Sequence, residues 1–330
     1  MILDVKEARK RYLLRVAGAR DEKVYIGPET VHVHVTNRCN LSCSYCWYHS
    51  PGNPVHRAPL KELSLKKFEE IVNDCTALQV DTLYFSAAGE PTLHPAFAAM
   101  MTLLDQRPLH VILLTNGTFL PSQLESVVKA DRININLGAI DRQGYRLLQG
   151  RDLFSRVTGN IARLVRYRDT YKPSLKIEIV CVVNNMNRLL LGEMTAAMKA
   201  LRVDVFAPKL MQVTDLSWDL KPAASAGHDV LSGQAGFCAL CFNGWFSVSI
   251  ELNGSLSLCC HVPQMKTVSL VRMSLRKAWA STVLMRLRVA GKYGHFKEKF
   301  EDCHACRVYK RNRQVAQGLL RMRDYVKTKA

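Results

Sequence analysis

Thr36-Asn37-Arg38-Cys39-Asn40-Leu41-Ser42-Cys43-Ser44-Tyr45-Cys46 is the stretch from which the rest of the chain can be read. Its cysteines are spaced Cys-x3-Cys-x2-Cys and follow directly on a strand-like run, Val31-His32-Val33-His34-Val35. Three thiolates this close can converge on one face of a metal centre and leave one coordination position that the protein does not fill. Thiolates are the soft ligands that select iron–sulfur clusters, zinc or cuprous ion. A structural zinc site needs a fourth ligand near by. His49 can be offered as one, so spacing alone leaves zinc open.

Outward from this loop, apolar strand-like runs alternate with helical patterns. A strand over 31–35 is followed by a helix over 65–78, with Ser64 as its N-cap. Further strands are expected over 82–86, 110–114, 132–137, 175–183 and 203–207. Helices are expected between them over 95–104, 122–129, 154–167 and 189–201. Such alternation indicates βα units around a parallel sheet. By itself it allows a doubly wound sheet as well as a barrel. Residues 1–30 read as one amphipathic helix, about 5–17, and a turn at Gly27-Pro28. Cys75 on a helix and Cys181 on a buried strand read as core cysteines, and His32 and His34 as packed or hydrogen-bonded histidines.

The chain has 330 residues and a net charge of +18. That length suffices for one large domain with a smaller one attached. No apolar run approaches the roughly 20 residues needed to span a bilayer. The first ten residues carry charge too early for a signal peptide, so the expected location is cytoplasmic. Eleven cysteines in a reducing compartment read as metal ligands rather than as a disulfide framework. The segment 307–329 carries Arg307, Lys310, Arg311, Arg313, Arg321, Arg323, Lys327 and Lys329 against Asp324. Such a helix attracts anionic partners or is a solvated basic face, and no nucleic-acid module accompanies it.

Cys39, Cys43 and Cys46, with aromatic Tyr45 before the last, resemble the cluster loop of the radical S-adenosylmethionine (radical SAM) enzymes. The resemblance implies a partial (β/α)6 TIM-like barrel, α/β in class, whose three cysteines hold three irons of a [4Fe–4S] cluster. S-adenosyl-L-methionine then chelates the fourth iron. Ala87-Ala88-Gly89-Glu90-Pro91 is similar to the family's Gly-Gly-Glu-Pro motif, with alanines where a glycine is common. The resemblance therefore marks Tyr45, Ala88, Gly89 and Glu90 as cofactor-binding. Thr115-Asn116-Gly117 stands where the family often has this tripeptide. Thr115 and Asn116 are expected near the cofactor, although a plain turn with Gly117 at positive φ explains the tripeptide equally well. Asn136 and Asp141 after strand four join the candidates, with Val182 and Asn187 on the adenine side.

Residues 212–237 are rich in small and polar types and read as a linker or active-site loop. Beyond it lie Cys238-Ala239-Leu240-Cys241, an alternating strand, the hairpin turn Asn253-Gly254, Cys259-Cys260, a helix over 275–289 and Cys303-His304-Ala305-Cys306. Cys238, Cys241, Cys303 and Cys306 would form a four-thiolate zinc site, with a gap far longer than the roughly 15–20 residues of compact zinc ribbons. Cys241-x12-Gly254-x4-Cys259 followed by the Cys-x2-Cys pair resembles instead the twitch form of the SPASM region. That resemblance implies a small C-terminal α+β domain over 238–310, with a basic helix over 311–330 after it. It assigns one auxiliary [4Fe–4S] cluster to Cys241, Cys259, Cys303 and Cys306, Cys238 and Cys260 being the alternative ligands. The layout is similar to that of the 2-deoxy-scyllo-inosamine dehydrogenases.

The family chemistry is reductive cleavage of S-adenosylmethionine and abstraction of a substrate hydrogen. A fully ligated auxiliary cluster implies an electron path away from a substrate radical. Oxidation of a small polar or anionic metabolite or sugar is therefore the leading expectation. Lys209 or Asp215, past strand six, would be the catalytic base, and a flavodoxin or ferredoxin the external donor. A peptide-modifying enzyme, crosslinking or epimerising, is the alternative. It would need a separate leader-binding partner, since thirty residues before strand one leave no room for such a domain. A nucleic-acid-binding iron–sulfur protein is the alternative from another class.

Overall fold

Parallel strands joined by helices are what the alternation of runs calls for, and the computed structural model has them. It describes residues 4–46, 48–51, 59–211, 240–260, 262, 265, 267–300, 303, 306 and 308–327. The strands are β1 (Thr30–His34), β2 (Thr82–Ser86), β3 (His110–Thr115), β4 (Arg132–Asn136), β5 (Lys176–Val183), β6 (Val205–Leu210), β7 (Ser247–Ile250) and β8 (Leu256–Ser257). Helix α1 (Val5–Asp21) precedes β1. Between the strands run α2 (Leu65–Ala77), α3 (Phe97–Asp105), α4 (Leu124–Val127), α5 (Arg142–Gln149), α6 (Phe154–Tyr171) and α7 (Leu191–Ala200). After β8 come α8 (Leu275–Trp279), α9 (Thr282–Lys292), α10 (Phe296–Lys299) and α11 (Tyr309–Lys327).

β1 to β6 are parallel neighbours and make a partial (β/α)6 barrel. The later hairpin does not stand apart from it. β7 pairs in parallel with β1, Thr30 opposite Ser247 and Val33 opposite Ile250, so one eight-stranded sheet runs β6-β5-β4-β3-β2-β1-β7-β8.

Side chains alternate across a strand. Val31, Val33, Leu83, Phe85, Ile133, Ile135, Val248 and Ile250 face the helices and are buried in one core. Helix α2 meets them with Phe68, Ile71, Val72 and Cys75, spaced three and four apart on one face. Its start is fixed by Ser64, whose Oγ accepts from Lys67 N at 3.2 Å. Phe85 meets the edge of Phe68 at 5.4 Å. Burying one such ring contributes about 1.5–3 kcal/mol. The intervening residues, among them His32, His34, Tyr84, Arg132, Asn134, Asn136, Glu178 and Lys209, line the inner face. A parallel strand buried on both faces would be apolar throughout. This polar lining sets the inner face apart from the apolar face packed on the helices.

The N-terminal helix ties the two ends of the chain together. Val16 and Ala19 of α1 pack with Phe242, Trp245, Phe246 and Val315. Arg15, 2% exposed, donates to Gly27 O and Pro28 O and pairs with Asp81 at 2.7 Å. Trp245 Nε1 donates to Lys23 O and Trp279 Nε1 to Ile26 O.

Three local expectations change. The helix over 275–289 is two helices, because Ser281 Oγ accepts from Leu284 N at 3.3 Å and starts α9 afresh. The helix over 122–129 is a 3-10 turn followed by the short α4. Helix α5 has no counterpart among the expected elements. Among the described residues no helix is long and apolar enough to cross a membrane.

Candidate active site

The cysteine loop leaves the C-terminal end of β1, where barrel sites are built. Its first half is bonded to the turn after β2. Gly89 N donates to Thr36 O at 3.0 Å and Glu90 N to Arg38 O at 2.7 Å. A Cβ on Gly89 would lie 2.1 Å from Arg38 O, so only glycine lets the two backbones meet. Ala88 needs no such freedom, because it is not among the described residues with positive φ.

Glu90 is 1% exposed. Its carboxylate accepts from Thr92 N at 3.1 Å, Thr92 Oγ1 at 2.8 Å, Thr115 Oγ1 at 2.7 Å and Asn116 N at 2.6 Å. Burial pushes this carboxyl up, and the four donors pull it back only in part. Three of these donors meet Oε1 and only Asn116 N meets Oε2, so Glu90 joins the ends of β2 and β3 and Oε2 keeps room for a further donor. Gly117 takes φ 77 in the turn that follows. Asn116 Nδ2 reaches Asn40 Oδ1 at 2.9 Å, and Asn40 Nδ2 donates to Thr118 Oγ1 at 2.8 Å. Asn40 thereby holds the loop to the end of β3.

The second half of the loop rests on α5. Ser44 N and Oγ both donate to Leu148 O, at 2.9 and 3.0 Å, and Ser42 N donates to Gln149 O at 3.3 Å. Gly150, at φ 77, presses against Ser42 so closely that a Cβ would lie 2.1 Å from its Oγ. Asp141 is the cap of that helix, accepting from Gly144 N at 2.7 Å. Tyr45 OH donates to Asn136 Oδ1 at 2.9 Å, across to the end of β4. Asn187, 1% exposed, donates to Gly138 O and Val182 O, each at 3.0 Å, and locks the loop after β4 to the end of β5.

Burial pushes the Cys39 thiol up to about 12, with Glu90 and Cys46 adding to the rise. It drives Cys43 well up too, and the charges of Cys46 and Cys39 add to this. Cys46 is raised by burial and partly relieved by the backbone N–H groups of His49 and Tyr48. The three cysteines are half-buried neighbours on one loop, and as thiolates they would need a shared cation. Among the described residues, no three His, Cys, Asp or Glu side chains converge on a single ion position. By the chemistry of the donors, three soft sulfurs within one loop fit an iron–sulfur cluster.

Beside the loop, the lumen carries a second polar group. His34 Nδ1 lies 3.0 Å from Glu251 Oε2, off the line of an aligned hydrogen bond. Tyr48 OH, just past Cys46, donates to the same oxygen at 3.5 Å, and Ser249 Oγ to Glu251 Oε1 at 3.4 Å. Burial raises the Glu251 carboxyl, but His34, Ser249 and Tyr48 outweigh it and leave it below the ordinary value. Deeper in, His32 stacks on Tyr84 at 4.2 Å, and Arg132 pairs with Glu178 at 3.0 Å. Lys209 is exposed on β6, in register with Val182. Asp215 and Cys238 lie outside the described residues, as does the linker over 212–237.

The second cysteine set sits where the 3-10 turn Asn243–Trp245, the β7–β8 hairpin and the C-terminal helices meet. Cys241 N donates to Gly291 O at 2.8 Å. Burial pushes its thiol up to about 12, the Asn243 N–H relieves it, and Cys306 and Cys303 add to the rise. Asn312, fully buried, accepts from Phe242 N at 2.9 Å and donates to Cys306 Sγ at 3.8 Å. Cys259 N is held by Ser257 Oγ at 3.3 Å. Cys260, by contrast, is exposed, and its charged neighbours are Glu251, Arg311 and Lys209. Two buried groups here lack partners among the described residues: Asn243 Oδ1, and both Nη atoms of Arg288. Asn40, Asn312, Arg288 and the Tyr48–Glu251–His34 group carry no local signature that marks them out in the chain.

Residues 33–185 match the radical SAM superfamily, and residues 241–307 match SPASM, an iron–sulfur cluster-binding domain. A tungsten-containing aldehyde ferredoxin oxidoreductase cofactor-modifying protein of Pyrococcus furiosus is 28% identical over 170 residues, 48% of this chain and 45% of that protein. An S-adenosylmethionine-dependent nucleotide dehydratase of Selenomonas ruminantium is 25% identical over 221 residues, 61% of this chain and 78% of its own. The chain thus spans less than half of the first relative and about three quarters of the second. Among solved structures, Streptococcus suis SuiB bound to S-adenosylmethionine superposes with a TM-score of 0.66 at 14% identity, over 92% of this chain and 76% of SuiB.

Proposed function

The chain belongs to the radical SAM superfamily and carries a SPASM iron–sulfur domain, and from that premise we propose that it dehydrogenates a small polar or anionic metabolite, such as a sugar. Its cofactors are S-adenosyl-L-methionine and two [4Fe–4S] clusters. When bound, they supply an electron and a 5′-deoxyadenosyl radical that takes a hydrogen atom from the substrate. Cys39, Cys43 and Cys46 would hold the first cluster, and Cys241, Cys259, Cys303 and Cys306 the second.

The remaining work falls to the chain's own side chains. Gly89, Glu90 and Asn40 fix the first half of the loop, and α5 and Tyr45 fix the second. The observation that carries the oxidation reading is the Glu251–His34 contact at 3.0 Å, beside Tyr48 and facing the lumen. An alcohol that becomes a ketone must lose its hydroxyl proton and one electron as well as a hydrogen atom, and the second cluster, when held by Cys241, Cys259, Cys303 and Cys306, would take that electron. His34, 3.0 Å from the Glu251 carboxylate, would be the proton acceptor next to the loop. Lys209 faces the same lumen from the opposite edge of the sheet and would hold an anionic or hydroxyl group of the substrate. An external reductant of the flavodoxin or ferredoxin type would supply the electron.

Anaerobically reconstituted, reduced protein should convert S-adenosylmethionine to 5′-deoxyadenosine, and Cys43→Ala should abolish this. A protein that makes none, with Cys43→Ala indistinguishable from it, ends the enzyme reading. A pool of deuterated sugars and small hydroxy acids should then pass deuterium into 5′-deoxyadenosine. A peptide substrate is the second reading, raised by the fold shared with SuiB, which has been solved with its precursor peptide SuiA. Turnover stimulated by peptides and not by the small-molecule pool would replace the first reading with the second.

A further inference from the structure

Arg288 is 1% exposed, and no described residue bonds either of its Nη atoms. An arginine buried with two unpaired donors is costly, and native proteins rarely keep one without a reason. Its placement is tightly determined. Nε donates to Gly244 O at 2.9 Å, and the guanidinium lies 4.0 Å above the Trp279 ring. A Cβ on Gly244 would meet Arg288 Cγ at 2.9 Å and Leu258 Cδ1 at 3.1 Å. Leu258 immediately precedes Cys259, and the residue before Gly244 is Asn243, whose N–H serves the Cys241 thiol. Three residues further along α9, Gly291 O receives Cys241 N. The guanidinium is therefore held by Gly244 O, in the segment that carries Cys241, and by the Trp279 ring, and no carboxylate among the described residues is paired with it.

We propose that Arg288 is the buried counter-charge of the second cluster. A cluster on four thiolates is net negative in both of its oxidation states, and more so when reduced. A fixed positive charge near it favours the reduced form and raises the reduction potential. Trp279 and Gly244 hold the guanidinium in place, so it need not reorganise when the electron arrives. Arg288 is a positioning and tuning residue in this account; it touches no substrate. The proposal rests on the reading of Cys241, Cys259, Cys303 and Cys306 as cluster ligands.

The test uses the full chain carrying Cys39→Ala, Cys43→Ala and Cys46→Ala, in which only the second cluster can form. Arg288→Met and Arg288→Lys are compared with this parent by redox titration followed by electron paramagnetic resonance. Methionine should make the reduced cluster about tenfold scarcer at a fixed potential, a shift of about 59 mV to the negative for a one-electron couple. Lysine should recover most of it. An unchanged midpoint with methionine overturns the proposal. Should the methionine variant fail to load iron, the apo chains decide. Without a cluster the unpaired charge only destabilises, so apo Arg288→Met should melt above its apo parent. A lower melting temperature would show that the guanidinium serves packing, and would also overturn the proposal. A parent that binds no iron at all defeats the reading of the second site itself. Loading without any shift defeats the counter-charge alone.

Discussion

Replacing Gly89 with alanine tests how the radical-generating loop is held. The new Cβ would stand 2.1 Å from Arg38 O, 2.5 Å from Arg38 C and 2.7 Å from Asn37 C, all backbone atoms of the loop. Contacts under 3.0 Å are not tolerated, so the loop must retreat by about 1 Å in a close-packed setting. Overpacking of this kind costs about 1–3 kcal/mol. The two bonds that sew the loop down, Gly89 N to Thr36 O and Glu90 N to Arg38 O, are stretched by the same movement. They add about 1 kcal/mol each, for a total of about 3–5 kcal/mol. The functional effect is larger, because Cys39 follows Arg38 directly and ligand positions are tolerated only within roughly 0.2 Å. After anaerobic reconstitution, iron should fall from about eight to about four per chain, the complement of one cluster, and 5′-deoxyadenosine formation should cease. Ala88→Gly, one position earlier, should cost only about 0.5–1 kcal/mol and keep both clusters. A Gly89→Ala protein with full iron and wild-type cleavage of S-adenosylmethionine would refute the argument.

Asn312→Ala removes the group that bridges Phe242 N and Cys306 Sγ; iron should drop to about four per chain while the first cluster's spectrum persists. Tyr45→Phe deletes the bond to Asn136 Oδ1 and should lower urea stability by about 1 kcal/mol with an unchanged m-value. Glu251 sits below its ordinary value of 4.5, so the folded state binds its proton more weakly than the unfolded state does. Its contribution is complete above pH 4.5 and is lost as the pH falls through the depressed value. Glu251→Gln should therefore flatten the acid limb of stability measured from about pH 6 down to about pH 3; an unaltered limb would contradict the assignment.

The two cysteine sets and the βα order are legible because spacing and periodicity are local properties. The parts that escape are set by distance or by ambiguity of residue type. Asp141 reads as a candidate contact to the cofactor, and its second part, capping α5 through Oδ1, has no separate signature in the chain. The break between α8 and α9 carries no glycine or proline, and a serine cap produces it. His34 ends β1 and Glu251 directly follows β7, far along the chain, and only the parallel register of β1 and β7 brings them together. Arg288 occupies the buried face of α9 with Leu284 and Gly291, a place where helical periodicity expects an apolar side chain. Glu90 was legible as a special residue, and its four internal donors explain why it is acidic and buried.

The pairing of β7 with β1 has a consequence for how the molecule comes into being. The first six strands leave the ribosome long before the seventh, and through that interval the outer edge of β1 has no partner. An open strand edge is a template for another chain, and long-range pairings of this kind form late. The C-terminal quarter is therefore a cover for the barrel as well as a seat for cysteines. A barrel ended after β6 would keep a naked edge beside its cysteine loop, and self-association should be its dominant fate in the cell.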